Sequence, residues 1–203
     1  ELEKETLELY KPKKCKFEPQ VYFDIPDYVK GDANRKNNHY SRWYSNKIAN
    51  QLREEYEEEN GFKYDFVMTS RFDLAFEVDI DFERFDTEKF YAGKWSSVVD
   101  ASGTDLFKGG RGPLYDLVQA KHPVLNSLRL HTKGYPDTND GFLDLWFFAN
   151  SENSSKFFNL YDNLDEYNRP SNCPTDSSGR ISNHQLVKYH LEKLDLLDKV
   201  KFE

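Results

Sequence analysis

Arg71 and Asp73 stand two residues apart in residues 61–76, GFKYDFVMTSRFDLAF, just after the apolar run Phe66, Val67 and Met68. That run, entered from the turn-like Asn60-Gly61 and left through Thr69 and Ser70, reads as a strand buried on both faces. On extended backbone, residues two apart project to the same side. A guanidinium and a carboxylate would therefore meet where a parallel strand runs into its loop, the edge at which α/β sheets bind ligands. A carboxylate there can hold a divalent cation and an arginine can grip a phosphate, although the same pair also reads as an ion pair closing a strand end.

Asp144 is the second candidate. It stands at the mouth of the apolar run Leu145 to Ala149, where an acid is costly to bury without a purpose or a partner. It reads as a general base or a binder of an acceptor hydroxyl, or as a helix cap or ion pair. His184 opens the last helical stretch, where a neutral imidazole can ligate metal; the five histidines are otherwise scattered without a ligand spacing. Arg35 and Lys36, with Arg42 nearby, form a basic patch that reads as a phosphate clamp or as a solvated loop. Asp79 and Asp81 form a literal Asp-x-Asp, a spacing that suits a hard cation but lies in a segment dense with charge. Residues 100–113 interleave glycines with Lys108 and Arg111, a loop able to close over a phosphate, without Walker or Rossmann spacing.

Composition narrows the class. The chain has 203 residues, 28 Lys+Arg against 36 Asp+Glu and a net charge of −8. A single domain with a continuous core is expected over 1–203, and nucleic-acid binding through a broad basic face is disfavoured. Sixteen Phe and 13 Tyr suit packing first and sugar rings second. Cys15 and Cys173 make no disulfide framework or metal spacing, which points to the reducing cytoplasm. No run of sequence reaches the roughly 20 apolar residues of a membrane span, and no signal peptide is visible.

The elements that must position these residues follow from periodicity. Residues 2–10 read as a short helix and 13–17 as a strand; 24–38 reads as a surface loop. From His39 to about Glu59, Tyr40, Tyr44, Ile48, Leu52 and Tyr56 recur every four residues beside Trp43, predicting an amphipathic helix stopped by Asn60-Gly61. Its end, REEYEEEN, reads as a solvated face. Residues 90–92 and 145–149 read as strands, the latter buried. Residues 114–128 read as partly helical and 131–140 as loop. Residues 151–167 read as a helix capped by Ser151. A loop over 169–180 then leads to a last helix whose buried stripe is Leu186, Val187, His190, Leu191 and Leu194.

Three segments in this order resemble a group of glycosyltransferases from bacterial and large-virus surface-polysaccharide clusters. They are the aromatic helix with Tyr40-Ser41-Arg42-Trp43-Tyr44-Ser45 leading through Tyr56-Glu57 to 61–67; Thr69-Ser70-Arg71-Phe72-Asp73-Leu74, similar to an R-x-R-x-D-L strand end; and 144–151, DLWFFANS, similar to a D-x-F-x-x-G-S element. Met68 stands where a second basic residue is common, Asn150 where the glycine is, and Gln185 where an acid is common.

The resemblance implies a GT-A type fold, a mixed and mostly parallel sheet flanked by helices, that binds a nucleotide-sugar with Mn²⁺ or Mg²⁺. It implies Asp73 and His184 as metal ligands, Arg71, Asp73 and Arg42 toward the donor diphosphate, and Asp144 as the catalytic group facing a glycan acceptor. The strand and helix that hold base and ribose in such folds have no counterpart here, so the resemblance further implies a missing N-terminal part or a base held differently. The expected activity is sugar transfer in surface-polysaccharide or glycoprotein glycan synthesis, in a bacterial or virus-infected cytoplasm. Two rivals are a non-catalytic carbohydrate-binding or assembly module and a metal-dependent hydrolase using Asp73, Asp79 and Asp81.

Overall fold

The computed structural model describes residues 2–71, 74, 79–93, 96–99, 105–108, 131–134, 142–172 and 182–202. Helix α1 (Leu2–Tyr10) is followed by a coil along the side of α2 (Ala33–Asn60), the 28-residue helix of the fold. The strand expected over 13–17 does not form. Instead the Lys14 ammonium reaches Glu55 (3.1 Å) and Glu59 (2.7 Å) on α2, so side-chain ion pairs rather than a ladder hold this segment.

α2 starts six residues earlier than its apolar period predicts, because Asp32 caps it: the Asp32 carboxylate accepts from the Arg35 N–H at 2.9 Å. It stops at Gly61, whose φ of 67° is left-handed and whose N–H turns back to Glu57 and Glu58.

Two sheets follow. The first contains β1 (Val67–Ser70), β2 (Phe90–Gly93), β6 (Leu143–Ala149) and β7 (Val200–Phe202), in the order β1-β6-β2-β7. The second contains β3 (Ser96–Val99), β4 (Asp105–Lys108) and β5 (His131–Gly134), in the order β4-β3-β5. β4 and β5 thus fall inside stretches expected to be loop. The segment 114–128 and most of the 169–180 loop lie outside the described residues.

The first sheet is mixed, but not mostly parallel. β6 runs antiparallel to both β1 and β2, and only β2 and β7 are parallel. β1 is also an edge strand, partly buried rather than buried on both faces. Three apolar residues in a row satisfy an edge strand lying under other chain as well as a central one, so the run marks the strand and not its rank.

Alternation along β2 and β6 gives the sheet two aromatic faces. Phe90 and Phe147 face the helices, where their rings lie 5.0 and 5.1 Å from Phe157 of α3 (Ser151–Phe158). Trp43 of α2 meets the same ring edge-on at 5.8 Å. Tyr91 and Phe148 point the other way, stacked at 4.6 Å, into rings of Phe66, Phe82 and Phe85.

α3 is capped by Asn150, which accepts from the Asn153 N–H at 2.8 Å, and not by Ser151. Ser151 Oγ is turned to Glu57 instead. After a 3-10 turn (Asn159–Asn163) and α4 (Leu164–Tyr167), α5 (Asn183–Lys193) buries Leu186, Val187, His190 and Leu191 as its pattern predicts. Among the described residues, no helix is long and apolar enough to cross a membrane.

The acidic end of α2 is not wholly a solvated face. Glu57 is fully buried, and its carboxylate takes hydrogen bonds from Arg53 (2.7 Å), Lys63 (2.9 Å), Ser151 (2.9 Å) and the Tyr64 N–H (3.1 Å). Burial pushes this carboxyl up, but Lys63, Tyr64 N–H, Ser151 and Arg53 together hold it below the usual carboxylate value.

Candidate functional site

Asp144 occupies the second position of β6, where it is 7 % exposed. Antiparallel pairing brings β1 alongside, and Arg71, the residue after β1, donates its N–H to the Leu145 carbonyl at 3.2 Å. α5 is clipped to the start of β6: the Phe142 N–H donates to the His184 carbonyl (3.0 Å), and His184 Nδ1 lies 2.7 Å from the Phe142 carbonyl. A carbonyl only accepts, so Nδ1 carries the proton and a neutral His184 has its lone pair on Nε2. α2 supplies Arg42 from the third wall.

Arg42 and His184 meet around one carboxylate, that of Asp144. Arg42 Nη1 lies 2.6 Å from Asp144 Oδ2, and Arg42 Nη2 donates to the Asp144 backbone carbonyl. His184 Nδ1 lies 3.6 Å from the other carboxylate oxygen. All four residues line an open cleft of about 960 Å³, with Arg35, His39, Thr69 and Asn183 also in its wall. Three arginines, Arg35, Arg42 and Arg71, thus face one cleft on a chain of net charge −8.

α2 builds one wall with a polar stripe. Asp32, Arg35, Asn38, His39, Arg42, Ser45 and Asn46 follow the three- and four-residue steps of a single helix face. The opposite flank carries Tyr40 and Trp43 into the core. Trp43 ties core to cleft: its indole N–H donates to Asn183 Oδ1 at 3.0 Å, and the Arg42 guanidinium lies 5.5 Å over its ring. His39, 4 % exposed, is kept neutral: burial pushes its pKa down to about 4, against a side-chain hydrogen bond to Asn183 and helped by Arg35 and Arg42.

No family model, curated protein or solved structure matches this chain.

Of the residues singled out in the sequence, Arg42, Arg71, Asp144 and His184 come together in this cleft, although Arg42 and Asp144 are 102 positions apart. Asp73 lies outside the described residues, as do Cys173 and Arg111. Asp79 and Asp81 do not line the cleft; Asp81 caps the 3-10 turn Phe82–Arg84 by accepting from the Glu83 N–H. Among the described residues no group of three or more His, Cys, Asp or Glu side chains is placed to hold a metal ion. The cleft offers Asp144 and His184, a pair that suits Mg²⁺ or Mn²⁺ only when a ligand's phosphate oxygens complete the shell. Sequence reading did not assign His39, Asn38, Ser45 or Asn46 to the site. The signal was their shared helix face with Arg35 and Arg42, hidden by the stronger aromatic period beside it.

Proposed function

We propose that this protein is a GT-A-like glycosyltransferase that moves a sugar from a nucleotide-sugar donor to a glycan acceptor in the cytoplasm. The observation that carries the reading is the convergence of Arg42, Arg71, Asp144 and His184, from four separate segments, on one cleft. Arginines suit a diphosphate because the guanidinium fork matches oxyanion geometry. Arg42 and Arg71 hold the donor diphosphate, and Asp144, beside them, takes the acceptor hydroxyl and its proton. Mn²⁺ or Mg²⁺ would be held by Asp73 and His184 with the diphosphate oxygens, and would neutralise charge on the leaving group. His184 Nε2 is the ring nitrogen suited to that bond, since Nδ1–H faces Phe142.

One observation favours a second reading, a binding-only module: the Asp144 carboxylate is already engaged by Arg42. A thermal-shift panel of UDP-, GDP-, CMP- and dTDP-sugars, each with Mn²⁺, Mg²⁺ or EDTA, tests the donor site, because a ligand selective for the folded state raises its melting temperature. A metal-dependent rise for one nucleotide is expected. Sugar transfer to a glycan array that is lost in Asp144→Ala would then favour the enzyme over the module, and a folded protein that no donor stabilises would overturn both donor site and transferase.

A further inference from the structure

The Arg42–Asp144 pair sits in the wall of the cleft, not behind it: its side chains are 20 % and 10 % exposed, and both line the open volume. Ion pairs so far removed from water add little net stability, because desolvating both charges offsets most of their attraction. What such a pair does fix is geometry. Here it seats a carboxylate on the guanidinium that, with Arg71, makes the cleft cationic. A carboxylate and a phosphate oxygen present the same chemistry to a guanidinium, an anionic acceptor at hydrogen-bond distance.

We infer that Asp144 is a resident competitor for the cleft's anion site: an incoming oxyanion takes its place on Arg42, and the displaced carboxylate swings toward His184. That the oxyanion belongs to a sugar donor rests on the transferase reading; the exchange itself does not. Two features make the exchange feasible. Arg42 Nη2 bonds to the Asp144 backbone carbonyl, so this contact stays while the side-chain contact on Nη1 changes hands. His184 Nδ1, whose N–H bonds to the Phe142 carbonyl, lies 3.6 Å from the carboxylate oxygen that Arg42 does not hold, so a small rotation lets the displaced group share that N–H. Arg71, just after β1 and lining the same cleft, suits the second group of a diphosphate, which makes pyrophosphate the matching ligand class rather than a single carboxylate.

The consequence for a transferase is order. Donor diphosphate enters first, and only then is the Asp144 carboxylate available to an acceptor hydroxyl. An acceptor alone meets an occupied acid.

Inorganic pyrophosphate, without metal, separates this from a static salt bridge. Asp144→Asn removes the competitor and keeps the shape, so titration calorimetry should give roughly tenfold tighter binding than wild type, the factor for about 1.4 kcal/mol of relieved competition. Arg42→Gln should weaken binding in the wild-type background and erase the gain in the Asp144→Asn background. In the wild-type protein, saturating pyrophosphate should also move the side-chain carboxyl ¹³C resonance of Asp144, a readout that needs no folded variant. Unchanged or weaker binding by folded Asp144→Asn, or an unmoved resonance at saturation, would overturn the exchange, as would no pyrophosphate binding at all. A gain in pyrophosphate affinity in a protein that no nucleotide-sugar stabilises would leave the exchange standing and overturn the transferase. Donor-dependent transfer with no gain would do the reverse.

Discussion

Glu57, the buried acid at the end of α2, accepts a 2.9 Å hydrogen bond from Ser151, the first residue of α3. That contact joins two helices through one carboxylate, between residues 94 positions apart. It also sets Arg53, 11 % exposed, against a charge it cannot replace from solvent. Replacing Glu57 by Gln keeps the volume but leaves Arg53 with the partly exposed Glu54, at 3.5 Å, as its counter-charge, so a loss of about 3 kcal/mol, the low end for a broken buried pair, is expected in urea denaturation. The exposed neighbour Glu58→Gln should change stability by less than about 0.5 kcal/mol. Equal effects from the two would show that Glu57 is not the hub.

Stability should fall on mild acidification. His39 and His190 are buried at 4 % and 1 % exposure, and burial pushes both down to about 4 from an ordinary 6.5. His190 Nε2–H donates to the Phe157 carbonyl at 3.0 Å, which leaves Nδ1 to accept from the Tyr167 hydroxyl at 3.0 Å. Between pH 6.5 and 4 the unfolded chain binds the protons that these rings refuse, so stability drops as pH falls through that window. The slope approaches roughly 2.7 kcal/mol per pH unit for two such groups. Glu57, held below its usual value, adds a further loss only at lower pH, as its own carboxyl protonates. Melting temperatures at about pH 7.5, 6 and 5 check this; His190→Gln should flatten the curve.

Phe157 is the ring on which sheet and helix α2 meet, touching Phe90, Phe147 and Trp43 at 1 % exposure. Phe157→Ala should cost about 3–5 kcal/mol, read as a lower denaturant midpoint, with the loss falling toward the smaller value to the extent that its neighbours collapse into the gap.

At Gly61 the effect is purely one of backbone. Its φ of 67° is strained for any side chain, while a Cβ there would meet nothing within 4 Å. Gly61→Ala should therefore destabilise by roughly 1–2 kcal/mol without changing the unfolding slope.

Arg71 is exposed, and so should separate affinity from stability. Arg71→Ala is expected to lower the affinity for the cleft's diphosphate-bearing ligand by about tenfold or more, while the melting temperature of the ligand-free protein stays within a degree or so.

The sequence made the helices legible where apolar spacing and a stop signal agreed. α2 ends at Asn60-Gly61 as expected, and the stripe of α5 is buried as expected. A strict four-residue step overshoots each turn by about 40°, however, so the aromatic series drifts round α2. Burial instead follows Trp43, Asn50 and Glu57, seven residues apart. Glu57, the last of that series, finds Ser151 on α3, and no local pattern announces a partner so distant. Strand direction was equally invisible: the runs at 67–70 and 143–149 pair antiparallel, and periodicity is the same in either sense. For the site, residue chemistry selected Arg42, Arg71, Asp144 and His184, but the contact that governs them, Arg42 on Asp144, depends on α2 crossing the end of β6.

Trp43 turns that arrangement into an optical gauge. Its indole is sealed in the core at 1 % exposure, so solvent does not set its emission, yet a guanidinium stands 5.5 Å over the ring. Any anion that enters the cleft and draws on Arg42 changes the electric field across the indole. With Trp95 and Trp146 replaced by Phe, the wavelength of the remaining emission would register occupancy of the cleft by a ligand of any identity, with no label and no coupled enzyme.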